Sequence, residues 1–179
     1  MTITLTSSSY LTRDLSGFHV SEASSPEDLL RVTKVLNDWK KTINDILIAT
    51  CYSCDSGIDI SETVCSGLKD DIQSKERSIY ISQNLEYEIQ AVASHNEKTN
   101  QIHHILTHPL NIHHRGDTTR QRGAGSSIIL HLAKRISSYS PALPLFVKSS
   151  SYAVEFYSRC GFTAIHSTSA LLIMKLEKV

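Results

Sequence analysis

The sequence predicts a single mixed α/β domain, a mostly antiparallel sheet with helices packed against it. Three observations carry that expectation. Apolar residues recur at helical steps in the first fifty residues, the period changes to two between residues 78 and 107, and a glycine-led helix then introduces a strand, a short helix and two more strands. The chain has 179 residues, 40% hydrophobic and 20% charged, which is enough for one well-buried core and too little for two ordinary domains. Residues 1–16 are rich in Ser and Thr without periodicity and read as a flexible extension, leaving 17–179 as the domain.

Each element has its own signal. Residues 18–24 read as a first strand. Ser25-Pro26-Glu27-Asp28 then opens a helix with a serine cap, a proline in the first turn and acids at the positive helix end. Val32, Leu36, Trp39, Ile43 and Ile46 place one apolar stripe along it. Residues 55–59, with Gly57 among small polar residues, read as a loop, and Ser61-Glu62 opens a second helix carrying Val64, Leu68 and Ile72. Ile79 and Ile81 alternate with Tyr80, and Tyr87, Ile89, Ala91 and Ala93 alternate with their neighbours. The polar run 95–100 turns a hairpin into a strand at 101–107, which Pro109 ends. After a long loop at 110–119 comes a helix at 126–137 with Ile129, Leu132, Ala133 and Ile136 on one stripe. A strand at 143–147, a helix at 152–159 and strands at 162–165 and 170–176 complete the order.

Composition excludes several function classes. Eighteen basic and eighteen acidic residues cancel, so no overall field draws the chain to nucleic acid or to an anionic membrane. No apolar run reaches the length of a membrane span, and the N-terminus lacks the basic start and apolar stretch of a secretory signal, so the cytoplasm is the expected location. The four cysteines form no dense framework. Cys51 and Cys54 have half the spacing of a zinc site with no second pair. Adjacent residues in a strand point to opposite faces, so His103 and His104 are expected to be poor joint ligands, and no metal is expected.

Two segments carry the chemistry. The first is Arg120-Gln121-Arg122-Gly123-Ala124-Gly125, followed at once by the helix that Ser126 opens. Amides at such a helix start point at an anion, and glycines there admit a pyrophosphate closely. Neither a P-loop lysine nor the third glycine of a dinucleotide fingerprint is present, Ile128 standing at the latter position. The second segment is Phe156-Tyr157-Ser158-Arg159-Cys160-Gly161-Phe162, just beyond the strand at 143–147.

Together these segments resemble the GCN5-related N-acetyltransferase (GNAT) superfamily, whose acetyl-CoA loop reads Arg/Gln-x-x-Gly-x-Gly/Ala. Arg120, Gly123 and Gly125 match it, and Ile105-Leu106-Thr107-His108-Pro109 is similar to the family's fourth strand and following proline. The resemblance implies a central sheet whose fourth and fifth strands splay into a V. It implies acetyl-CoA as co-substrate, its pantetheine held by backbone groups of Leu106 and Thr107, and its diphosphate on the segment Arg120, Gln121, Arg122, Gly123, Ala124, Gly125 and Ser126. A primary amine would attack the thioester directly, with Tyr157 as general acid to the leaving thiolate.

The chain departs from the family pattern at three places. The loop at 110–119 is long. Ser150 stands where many members have asparagine, and a serine there can still hydrogen-bond the pantetheine or a water. No acid lies on the fourth strand, so His103, expected to share a face with Ile105 and Thr107, is the candidate base. Acetyl-CoA and an amine-bearing acceptor are the expected partners, nucleic acid and membrane are not, and a monomer or homodimer is expected. The alternative reading is an inactive module of the same shape that holds an acyl-CoA or a partner protein without turnover.

Overall fold

The computed structural model describes residues 15–49, 56–113, 122–140, 143–167 and 172–176. Among them the order is β1 (His19–Glu22), α1 (Pro26–Ala49), α2 (Ser56–Ser74), β2 (Ser78–Gln83), β3 (Ile89–Asn96), β4 (Gln101–Thr107), α3 (Pro109–His113), α4 (Ala124–Tyr139), β5 (Leu145–Ser149), α5 (Val154–Arg159), β6 (Thr163–Ser167) and β7 (Leu172–Leu176). The strands form one sheet in the order β1-β2-β3-β4-β5-β7-β6. All neighbours are antiparallel except β4 and β5, which α4 joins as a crossover. This is the mixed, mostly antiparallel α/β architecture that the sequence predicts.

Helices cover both faces of the middle strands, and the alternation of β2 and β3 sorts their side chains between two cores. Ile79, Ile81 and Val92 join Val32, Leu36, Trp39 and Leu68 beneath α1 and α2. Tyr80, Ala91 and Ala93 join Ile128, Ile129, Leu132 and Ile136 beneath α4. The predicted stripe of α1 is buried at Val32, Leu36, Trp39 and Ile43. Its predicted cap is in place too: the Asp28 N–H donates to Ser25 Oγ at 3.0 Å.

Three local expectations are corrected. Helix α2 begins at Ser56, so residues 56–59 are helical and not a loop; Gly57 falls in the first turn, where a glycine weakens a helix least. Tyr87 is not in a strand. Asn84 Oδ1 accepts from the N–H groups of Glu86 and Glu88, closing a turn in which Tyr87 has φ 62° and is exposed. Pro109 opens the short helix α3 as well as ending β4, since its fixed φ and missing N–H suit a first helical position. Residues 110–113 of the expected loop thus lie in this helix; 114–119 of the loop, 120–121 of the glycine segment and 1–14 of the N-terminal segment lie outside the described residues.

Beneath α4, His95 is 2% exposed, and neither ring nitrogen has a hydrogen-bond partner among the described residues. Burial pushes its pKa down to about 4, opposed by Glu22. The folded protein therefore holds His95 neutral while the unfolded chain binds a proton near pH 6.5, so stability is lost as the pH falls below that value. His103, His104, His108 and His131 are shifted in the same direction, burial being the first cause at each. We expect denaturant titrations to show a loss of about 3 kcal/mol from His95 alone between pH 7 and pH 4, and His95→Leu to flatten that slope.

Candidate active site

The sheet opens where the resemblance requires. Strands β4 and β5 pair only through Gln101 with Phe146 and Ile102 with Val147. Beyond that point β4 stays with β3 as far as Thr107, while β5 stays with β7 as far as Ser149. The two strands part after Ile102 and leave a V-shaped gap. The His108 N–H donates to the Gln90 C=O at 2.9 Å, which sets the alternation along β4. By that alternation Leu106 directs its N–H and C=O to β3, and Ile105 and Thr107 direct theirs into the gap. Of the two residues expected to hold the pantetheine, Thr107 directs its backbone groups into the gap, as Ile105 does, and those of Leu106 pair with β3.

The head of α4 lies beside this gap. Gly123 has φ 120°, a conformation that side chains resist, and no side chain caps the helix. The helical ladder begins with the Ser127 N–H donating to the Gly123 C=O at 2.8 Å, so the amides of Ala124, Gly125 and Ser126 form the uncapped first turn. Gly125 also has a packing role. A Cβ there would lie 3.1 Å from Thr107 Cγ2 and 3.3 Å from Phe156 Cζ. The glycine lets the helix head pack against both β4 and α5. Ser126 Oγ is buried 3.6 Å from Cys160 Sγ, whose pKa burial pushes up to about 11, so Ser126 offers only its amide. Arg122 is exposed in the turn before α4; Arg120 and Gln121 lie outside the described residues.

Tyr157 stands on α5 and is 5% exposed. Its ring meets Phe156 edge-on at 5.1 Å and Phe162 at 5.6 Å between centroids. Burial first, and Cys160 second, hold its phenol above the ordinary range, so it stays protonated. Ser150 precedes a 3-10 turn (Ser151–Ala153) and does not cap it with its side chain. Its C=O accepts from the Ala153 N–H at 3.1 Å and from Ser149 Oγ at 2.8 Å.

The histidines of β4 depart from the sequence expectation. The register of β3 with β4 shifts between Ser94 and His95, leaving His103 as an extra, unpaired residue. This bulge brings the His103 and His104 rings to 6.2 Å apart, on the same side of the strand and not on opposite faces. Ile105 touches the head of α4, whereas the His104 ring lies against Gly67 of α2. His103 therefore does not share a face with Ile105 and Thr107. Its pKa is pushed down to about 4 by burial, then by Arg77, His104 and Lys148.

Sequence reasoning missed the partner of His104. Asp71 of α2 is 2% exposed; its carboxylate accepts from Ser94 Oγ at 2.5 Å, lies 2.9 Å from His104 Nδ1 and pairs with Arg77. In the sequence Asp71 reads as one of two acids on a helix, and nothing in its spacing points to β4. No group of three or more His, Cys, Asp or Glu among the described residues is placed to hold a metal ion.

The fold agrees with known proteins. An acetyltransferase of the GNAT family from Listeria monocytogenes matches with a TM-score of 0.55 at 11% identity, over 89% of this chain and 94% of that one. Tetrahymena GCN5 matches at 0.55 and 10% identity, over 90% and 96%. The microcin C7 self-immunity acetyltransferase MccE, solved in complex with acetyl-CoA and AMP, matches at 0.50 and 13% identity, over 88% and 92%. No curated protein matches by sequence. The acetyltransferase (GNAT) domain family matches residues 67–170, from α2 through the glycine segment and α5 to the end of β6. With the parted β4 and β5 and the uncapped head of α4, that match places the chain in the GNAT acetyltransferase family.

Proposed function

We propose that the protein transfers the acetyl group of acetyl-CoA to a primary amine by direct attack. The observation that carries this reading is the parting of β4 and β5 after Ile102, beside a helix head with three uncapped amides. The amides of Ala124, Gly125 and Ser126 suit a diphosphate, which the helix dipole favours at that end. The inward-facing backbone groups of Ile105 and Thr107 suit the amide-bearing pantetheine arm, much as a further strand would pair with β4. The Thr107 N–H, directed into the gap, would meet the oxyanion that develops on the thioester carbonyl. Tyr157 then gives its proton to the thiolate as the C–S bond breaks. Burial weakens a phenol as an acid, but an apolar surround also raises the basicity of a sulfur anion beside it, which preserves the drive for transfer.

A module that binds an acyl-CoA without turnover is the competing reading, and the packing of Tyr157 between Phe156 and Phe162 favours it. Two measurements decide. Acetyl-CoA at a hundred times its Kd is expected to stabilise the protein by about 2.7 kcal/mol, and no thermal shift would overturn both readings. Turnover of acetyl-CoA with polyamine, peptide and protein-lysine acceptors separates the enzyme from the binder.

A further inference from the structure

We infer that His104, held by Asp71, is the group that takes the proton from the attacking amine. The inference rests on the acetyl-transfer reading above and moves the proton acceptor from His103 to its neighbour. The head of α4 fills one side of the gap, where Gly125 touches Thr107 and Ile105. An acceptor amine must therefore reach the thioester carbonyl from the other side, where β4 faces α2. His104 stands on that side, just past the last pair between β4 and β5.

The geometry prepares one ring nitrogen for the task. Asp71 is buried, and its carboxylate is also engaged by Ser94 and Arg77, so it cannot turn away. A neutral imidazole facing a carboxylate at 2.9 Å carries its proton on Nδ1, which leaves Nε2 as the acceptor. A Cβ at residue 67 would lie 2.5 Å from Nε2 and 2.6 Å from Cε1, so Gly67 is what lets the ring pack against α2. The His104 side chain is 28% exposed. The ring of His103, by contrast, is held by no hydrogen bond among the described residues, and it sits level with Lys148 of β5.

The step balances simply. The amine nitrogen bonds to the acetyl carbon, its proton passes to Nε2, and Nδ1–H stays hydrogen-bonded to Asp71, which steadies the imidazolium. The C–S electrons leave on sulfur and take the proton of Tyr157. His104 then gives its proton to water, and the Tyr157 phenolate takes one back from water, which restores the resting enzyme. The charged groups facing His104 are Asp70 and Asp71 of α2, Arg77 between α2 and β2, and His103 of β4, with Lys148 of β5 acting on His103. Burial and Arg77 keep the ring neutral at pH 7, against Asp70.

The test has two arms. Long-range proton–nitrogen spectra of the intact protein are expected to show His104 as the Nδ1–H tautomer, titrating below pH 6.5. An Nε2–H tautomer overturns the inference whether or not any amine is turned over. With spermidine and a lysine-containing peptide as acceptors, kcat/KM is expected to fall as the pH drops through that same value. His104→Gln should remove this limb and lower the plateau by about 10²–10⁴-fold, with acetyl-CoA stabilisation retained. Asp71→Asn should shift both the limb and the His104 signals. A limb that survives His104→Gln, or is lost only in His103→Gln, overturns the assignment. Absence of acetyl-CoA stabilisation in the wild type would defeat the acetyl-transfer reading itself, and is thus told apart from failure of the His104 assignment.

Discussion

Tyr157→Phe is expected to lower kcat for acetyl transfer by about 10²–10⁴-fold while leaving the fold and acetyl-CoA binding in place. The reason is that the substitution removes one oxygen and keeps the ring. The edge-on packing with Phe156 and Phe162 belongs to the ring and survives. The hydroxyl is the only group removed, so a loss in kcat without a loss in thermal stability would tie it to chemistry. Full activity in Tyr157→Phe would refute the general-acid assignment and hand leaving-group protonation to water. The measurement is a steady-state titration of both substrates beside a melting curve with and without acetyl-CoA.

Asp71→Ala is expected to have the largest effect on stability, about 3–5 kcal/mol. Its carboxylate is 3% exposed and engages Arg77, Ser94 and His104 at once. Removing it leaves the Arg77 guanidinium uncompensated between α2 and the sheet, and the Nε of that residue already lacks a partner among the described residues. For a domain of this length the loss corresponds to a fall in Tm of about 2–4 °C per kcal/mol. Asp71→Asn, which keeps the volume and one hydrogen-bond acceptor, is expected to lose less. Equal losses in the two variants would show that charge and not shape holds this cluster.

Much of the fold was legible because its signals are local. The Ser25 cap, the stripe from Val32 to Ile43 and the alternation about Tyr80 each depend on neighbours within a few residues, and all three stand in the structure. The errors also have local causes. Gly57 and its polar neighbours look like a loop by composition, yet they lie in the first turn of a helix. Tyr87 is a good strand residue by type, but the Asn84 side chain draws the chain into a turn before it.

For the site, sequence alone pointed to the glycine helix head, the fourth strand and Tyr157, because a phosphate-binding turn and its following helix are continuous in the chain. It could not reveal which backbone groups of β4 are free. That depends on pairing with β3, fifteen or so residues away, and it divides Leu106 from Ile105 and Thr107. Nor could it place the histidines. Period two puts His103 and His104 on opposite faces, and only the bulge against Ser94 and His95 brings them together. Asp71 joins His104 across thirty-three residues. The chain by itself thus determined the elements, their order and the family's cofactor motif, since these rest on short-range periodicity and backbone conformation. The tertiary structure decided which groups face the gap and which histidine is held by a carboxylate. Those choices follow from strand register and helix docking, which arise only when distant segments pack.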